Sequence, residues 1–188
     1  MVSLRPISAM DAPAIAAAVG QSREALRRWM EWYRDDYDEC TARDWIDHAL
    51  ASAETGMAFQ FAILDADDFL VGVIGLEDIS ERSGRAMIGY WLATPAAGRG
   101  IGRRAVELAL AWARTRPRLD VVWAVVADAN LASRRILEIN QFQLVGTRGV
   151  DKRGDTGLVY EISLDNLSVT EPSDIVFGPP LTLSPPDR

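Results

Sequence analysis

The chain has one cysteine, Cys40, one histidine, His48, and one lysine, Lys152. A lone cysteine excludes a disulfide framework and a cysteine-based zinc site within one chain. A lone histidine excludes any site that needs two from the same chain, and no metal site is expected. Basic residues are in the minority, 20 Lys and Arg against 27 Asp and Glu, for a net charge of −7. That balance argues against nucleic-acid binding, which needs a basic footprint, and mildly favours a cationic partner. No apolar run approaches the ~20 residues of a membrane span. Met1 to Met10 lacks the apolar stretch of a signal segment. No membrane role and a cytoplasmic location are therefore expected.

What remains is an ordinary globular composition: 188 residues, 48% hydrophobic and 25% charged. One domain is the expectation at this length. Val2 to Arg5 reads as a short strand. Asp11 and Ser22 read as caps of two helices, one to about Val19 and one to about Trp32. Thr41 reads as the cap of a third, over Ala42 to Ala51. The period then shortens. Ala58 to Leu64, Phe69 to Ile79 and Arg85 to Ala93 read as three antiparallel strands. A helix over Ile101 to Thr115 follows, then Val121 to Ala127, whose continuous apolar run fits a strand buried on both faces. Asn130 to Asn140 reads as a helix. Phe142 to Val150 and Leu158 to Leu164 read as a hairpin around Lys152-Arg153-Gly154-Asp155. The order predicts a mixed α+β layer fold around one sheet. From Asn166 onward the chain carries five of its nine prolines. That stretch reads as an extended tail, free or docked on the domain or on a neighbour in a homodimer.

The informative segment is Gly98-Arg99-Gly100-Ile101-Gly102-Arg103-Arg104, between a strand and a helix. Glycines let backbone amides approach an anion, and a helix start offers unpaired N–H groups and a partial positive charge. Together they make a phosphate cradle. The segment lacks the Gly-Lys-Ser/Thr ending of a Walker A loop. It lacks the sixth-position glycine of a dinucleotide fingerprint, where Arg103 stands. For the acidic residue that fingerprint also wants, Asp120 has the distance but precedes the next strand, and Asp128 ends that strand but lies too far along. A helix start that needs glycine only for packing is the alternative.

Ile88-Gly89-Tyr90-Trp91-Leu92, Pro95 and Gly98-Arg99-Gly100-Ile101-Gly102 together resemble the acetyl-CoA-binding motif of the GNAT acetyltransferase superfamily. Asn130-Leu131-Ala132-Ser133-Arg134-Arg135-Ile136-Leu137-Glu138, followed by Phe142, is similar to its second motif. Upstream, Leu26, Trp29, Met30 and Trp32, with Leu70-Val71-Gly72-Val73-Ile74-Gly75-Leu76, resemble the RimJ/RimL-type ribosomal-protein N-terminal acetyltransferases. The resemblance covers residues 3 to 164. It implies a GNAT domain over residues 1–165, with a mixed, centrally splayed sheet, and a tail over 166–188. It implies acetyl-CoA as donor, with Gly98, Arg99, Gly100, Ile101, Gly102 and Arg103 holding the pyrophosphate. Trp91, Leu92 and Ala93 would pair with the pantetheine arm, one of their amides polarising the thioester. Asn130 and Ser133 would face the cofactor. Departures are Ala97, where Gln or Arg is usual, and Gln141 in place of a glycine before Phe142. No tyrosine occurs from Leu137 to Gln141. No glutamate stands near Ala86-Met87, where some relatives carry their base.

Acetylating an amine requires the neutral amine, so a base helps. Glu77, near the end of the middle strand, is the candidate base, with Asp78 expected on the opposite face. Ser133 is the candidate donor to the departing thiolate, and Tyr90 offers another hydroxyl. Trp29, Trp32, Tyr33 and Tyr90 are the expected substrate pocket, with Tyr37 nearby. Asp35, Asp36, Asp38 and Glu39 would attract a cationic substrate. The expected activity is direct acetyl transfer to a primary amine, with a protein N-terminus as leading acceptor. The alternatives are a small-molecule amine acceptor and a non-catalytic CoA-binding module.

Overall fold

The computed structural model describes residues 1–150 and 154–166. Lys152 and Arg153 of the expected turn, and the tail beyond Asn166, lie outside them. The strands are β1 (Ser3–Pro6), β2 (Phe59–Leu64), β3 (Leu70–Ser80), β4 (Arg85–Leu92), β5 (Val121–Ala127), β6 (Gln143–Val150) and β7 (Thr156–Ser163). The helices are α1 (Ala12–Gly20), α2 (Arg23–Trp29), α3 (Glu39–Glu54), α4 (Ile101–Ala113) and α5 (Leu131–Ile139). The strands form one seven-stranded sheet in the order β1-β2-β3-β4-β5-β7-β6. Every neighbouring pair is antiparallel except β4 and β5.

Strand alternation sorts the apolar residues onto two faces. On one face α4 and α5 cover Ile63, Ile74, Leu76, Ile88, Val122 and Tyr160. On the other α1, α2 and α3 cover Ala62 and Val73, packing Ile15, Leu26 and Ile46 against them. Each fully buried aliphatic side chain contributes roughly 1.5–3 kcal/mol of hydrophobic stabilisation. The helices therefore hold β1 to β4 from both sides. Among the described residues no helix covers the second face of β5: Val125 is exposed and Trp123 only half-buried. The expectation that β5 is buried on both faces is thus wrong. Its apolar run covers one face and leaves the other accessible.

Three expected caps are also corrected. Asp11 precedes α1 but makes no cap hydrogen bond. Its carboxylate accepts two bonds from Arg5, at 2.6 and 2.8 Å, and one from the Ser8 amide at 2.8 Å. Burial alone would raise its pKa, but these bonds outweigh it and hold the group below the usual carboxylate range. Ser22 is buried, and its hydroxyl turns away from α2. It donates to the Ala18 carbonyl at 2.8 Å and accepts from the Thr94 amide at 2.9 Å. Asp38, not Thr41, caps α3, accepting from the Thr41 amide at 2.9 Å. Helix α2 stops at Trp29, because Met30 takes extended backbone and packs against the α1–α3 core. Trp32 is therefore off the helix.

Candidate active site

The parallel pair β4–β5 has only three rungs, Arg85↔Val121, Ala86↔Val122 and Met87↔Trp123. Beyond them Ile88–Leu92 and Ala124–Ala127 diverge, and the sheet splays where the family resemblance places it. Amides alternate along β4. The Ala93 amide donates to the Val71 carbonyl of β3 at 2.8 Å. Trp91, two residues earlier, turns its amide the same way. Of the three expected pantetheine-pairing positions, Leu92 alone therefore presents its amide to the gap.

The glycine loop stands at the open end of that gap. Gly98 and Gly100 sit at φ of 75° and 78°, and a Cβ on either would meet nothing within 4 Å. Gly102 differs: a Cβ there would lie 2.9 Å from Ile136 Cδ1 and 3.2 Å from Leu92 Cδ1. The packing role falls on Gly102 and not on Gly98 or Gly100. Gly102 lets α4 approach α5 and β4. Gly98 and Gly100 shape a turn that is open to solvent. The first backbone bond into α4 from this loop is Arg104 N–H to the Gly100 carbonyl, at 3.1 Å. The amides of Ile101, Gly102 and Arg103, in the first turn, have no intrahelical acceptor. Arg103 and Arg104 both bond Glu107, at 2.8 and 3.1 Å. Burial would raise the Glu107 pKa, but the two guanidiniums outweigh it and hold it low. Glu107 offsets one of the three positive charges that Arg99, Arg103 and Arg104 bring to this end of α4. The spacing of Glu107 from both arginines was readable as helix pairing.

The candidate acid and base groups fall on opposite faces of the splay. Glu77 pairs with Met87, and Met87 with Trp123, so Glu77 lies in the same row as the last rung. It shares the α1–α3 face with Val73. The Gln60 amide donates to Glu77 Oε1 at 2.7 Å, a partner that sequence spacing did not reveal. Asp78 takes φ 50° where the β3–β4 ladder shifts. It lines a cleft of about 420 Å³ with Arg85, Trp123 and Glu161. The simple alternation expected for Asp78 is lost at this irregularity. On the other face Asn130 caps α5 by accepting from the Ser133 amide at 3.1 Å. Tyr90 also lies on that face, its Oη 2.9 Å from Ser133 Oγ. Burial pushes the Tyr90 phenol up to about 12, the Ser133 hydrogen bond opposing it only in part.

The aromatic residues divide accordingly. Trp32 is 45% exposed, and its ring centroid lies 6.1 Å from that of Trp91 and 5.7 Å from that of Tyr37. Tyr33 packs at the margin of the same core, its hydroxyl 3.2 Å from Asp35. Arg28 stacks on Trp29 at 4.8 Å and pairs with Asp155 at 3.4 Å. That ion pair ties α2 to the start of β7, on the far side of the splay. Its partners are over a hundred positions apart, beyond any local signal. Tyr90 is not in this group, since adjacent residues of a strand face opposite ways. The acidic loop is internally engaged: Asp35 pairs with Arg27, Asp36 with Arg34, and Glu39 with Arg43, while Asp38 caps α3. His48 and Cys40 are exposed, and the His48 ring bonds within its own helix, at the Asp44 carbonyl.

An amide cradle at a helix start, opening on a gap between two strands that begin parallel, is suited to an extended ligand with an anionic group. Residues 2–143 match the acetyltransferase (GNAT) domain, and the chain belongs to that family. It is an acetyl-CoA-dependent N-acetyltransferase with the mixed α+β architecture of the family. Among curated proteins it is similar to the "Putative ribosomal N-acetyltransferase YdaF" of Bacillus subtilis strain 168. That match is 26% identical and covers 73% of this chain and 75% of the relative. It is also similar to the "Probable N-acetyltransferase YjcK" of the same organism, at 29% identity over 77% of this chain and 82% of the relative. Among solved structures, Mycobacterium smegmatis RimJ in complex with CoA-disulfide superposes with a TM-score of 0.82 at 25% identity. The match covers 90% of this chain and 85% of that one. Among the described residues no helix is long and apolar enough to cross a membrane.

Proposed function

We propose that the protein transfers acetyl directly from acetyl-CoA to the α-amino group of a protein, with a ribosomal protein as the leading class of acceptor. The observation that carries this reading is the row Glu77–Met87–Trp123, which sets a carboxylate at the closed end of the splay. Some relatives carry their glutamate near the position of Met87, and here the neighbouring strand offers one at the same level. Glu77 takes the amine proton, directly or through water. A positioned base of this kind contributes roughly 10² to 10⁴ in rate. The amine enters on the Glu77 face, past Trp32 and Trp91. The Leu92 amide polarises the thioester carbonyl, a donor worth about 10² to 10³. Ser133 donates to the sulfur from the other face. Amides from Gly98 to Arg103 hold the pyrophosphate.

An α-amino group has a pKa near 8 and an alkylamine one near 10.4, so the former is far more often neutral at pH 7. The engaged carboxylates of the Asp35–Glu39 loop leave little free charge to draw a polyamine. The name of YdaF supports the ribosomal class of acceptor. Such an acceptor places the enzyme in the cytoplasm. The test incubates protein and acetyl-CoA with peptides bearing a free N-terminal serine or alanine, and with spermidine. CoA release and acetylated product are both followed. Acetylation of the peptides at the α-amine supports the reading. Acetylation of spermidine alone overturns it.

A further inference from the structure

Tyr90 comes from β4 and Ser133 from the first turn of α5, so their contact joins the strand to the helix behind the splay. The Tyr90 hydroxyl stands 2.9 Å from Ser133 Oγ and 3.2 Å from the Ser133 carbonyl oxygen, to which it can donate. Two hydroxyl protons are thus shared among three oxygens. If the phenol proton goes to the carbonyl, the serine proton is held at Tyr90 Oη. If it goes to Ser133 Oγ, the serine proton is free to point elsewhere. The contact to Oγ is the shorter. The Asn130 cap fixes the Ser133 backbone, so the remaining freedom is the direction of the hydroxyl proton.

Resting on the reading of Ser133 as the sulfur's donor, we propose that Tyr90 is a positioning residue. Its phenol donates to Ser133 Oγ and so directs the serine's own proton at the departing sulfur. In the transfer the amine nitrogen forms a bond to the acetyl carbon. The carbon–sulfur bond breaks, and the sulfur leaves with the electron pair as CoA thiolate. The amine proton passes to Glu77 and on to solvent. Neither hydroxyl gives up its proton; each only donates a hydrogen bond. Burial keeps the phenol protonated to about pH 12, beyond the range in which an acceptor amine becomes neutral. Tyr90 therefore stays a donor wherever the reaction can run.

The test reads the thiol of bound CoA and uses no acceptor. Failure of the peptide panel therefore leaves it intact, and its own failure leaves the panel intact. The thiolate absorbance of CoA bound to the full chain is followed against pH, after subtracting CoA-free protein for Cys40. The wild type, Tyr90→Phe, Ser133→Ala and the double variant are compared. A donor to the thiolate raises its fraction at fixed pH by about tenfold over free CoA. Tyr90→Phe is expected to lose most of that tenfold, with the affinity for acetyl-CoA unchanged. Ser133→Ala is expected to lose all of it, and the double variant no more than Ser133→Ala. A wild-type titration in Tyr90→Phe overturns the proposal. So do losses that simply multiply in the double variant, or a Tyr90→Phe protein that no longer binds acetyl-CoA.

Discussion

Replacing Gly100 with alanine separates the cofactor cradle from the fold. A Cβ at this position meets nothing within 4 Å, so the substitution makes no clash. Its cost is the left-handed backbone, φ 78°, which a residue with a Cβ adopts at about 1–2 kcal/mol. For a domain of this size that lowers Tm by roughly 2–8 °C. The effect on the ligand is separate. Acetyl-CoA at a hundred times its Kd stabilises the wild type by about 2.7 kcal/mol. A loop that relaxes its strain turns the amides of residues 98–103 out of line. A tenfold loss of affinity at the same ligand concentration leaves about 1.4 kcal/mol, so the ligand-induced rise in Tm halves. Thermal unfolding with and without acetyl-CoA reads both quantities. Gly20→Ala is the control, because its Cβ also meets nothing and its φ is not left-handed. Its ligand-induced rise should match the wild type. A full wild-type rise in Gly100→Ala would refute the cradle.

Other outcomes follow from the same contacts. Ser22→Ala removes a buried hydroxyl and strands the Thr94 amide, at a cost of about 1–3 kcal/mol by urea unfolding; an unchanged midpoint would show the contact to be idle. Asp11 has a depressed folded pKa, so its contribution is present above the unfolded value near 3.9 and is lost as pH falls through the folded one. Asp11→Asn should flatten that acid limb of the stability profile, and an unaltered limb would refute the linkage. Trp32→Ala should raise KM for a peptide acceptor about 2- to 13-fold, the worth of an aromatic contact, without changing Kd for acetyl-CoA. The opposite pattern would move Trp32 to the donor side.

The parts of the molecule that were legible in the sequence are those set by local chemistry. The helix start at Ile101, the strand at Val121–Ala127 and the helix after Asn130 carry their own signals in glycine, apolar run and cap. The paired motifs then located the splay. What was not legible depends on partners distant in the chain. Ser22 looks like a helix cap until the Thr94 amide, 72 positions on, takes its oxygen. Asp78 alternates away from Glu77 only if the ladder is regular, and it shifts there. Tyr90 reads as a neighbour of the tryptophans, yet it faces Ser133, 43 positions away. The β5 run reads as buried on both faces, but the exposure of Val125 depends on where α1 to α3 stop covering the sheet.

The central claim is that a carboxylate at the closed end of the splay accepts the amine proton. Its most direct test compares kcat/KM for an N-terminal serine or alanine peptide in the wild type and in Glu77→Gln, alongside Kd for acetyl-CoA. Glutamine keeps the shape and can still bond Gln60. The account predicts unchanged acetyl-CoA affinity and a loss of about 10² to 10⁴ in kcat/KM at pH 7. That loss should shrink as pH rises and the amine deprotonates unaided. Wild-type turnover by Glu77→Gln at pH 7 would contradict it.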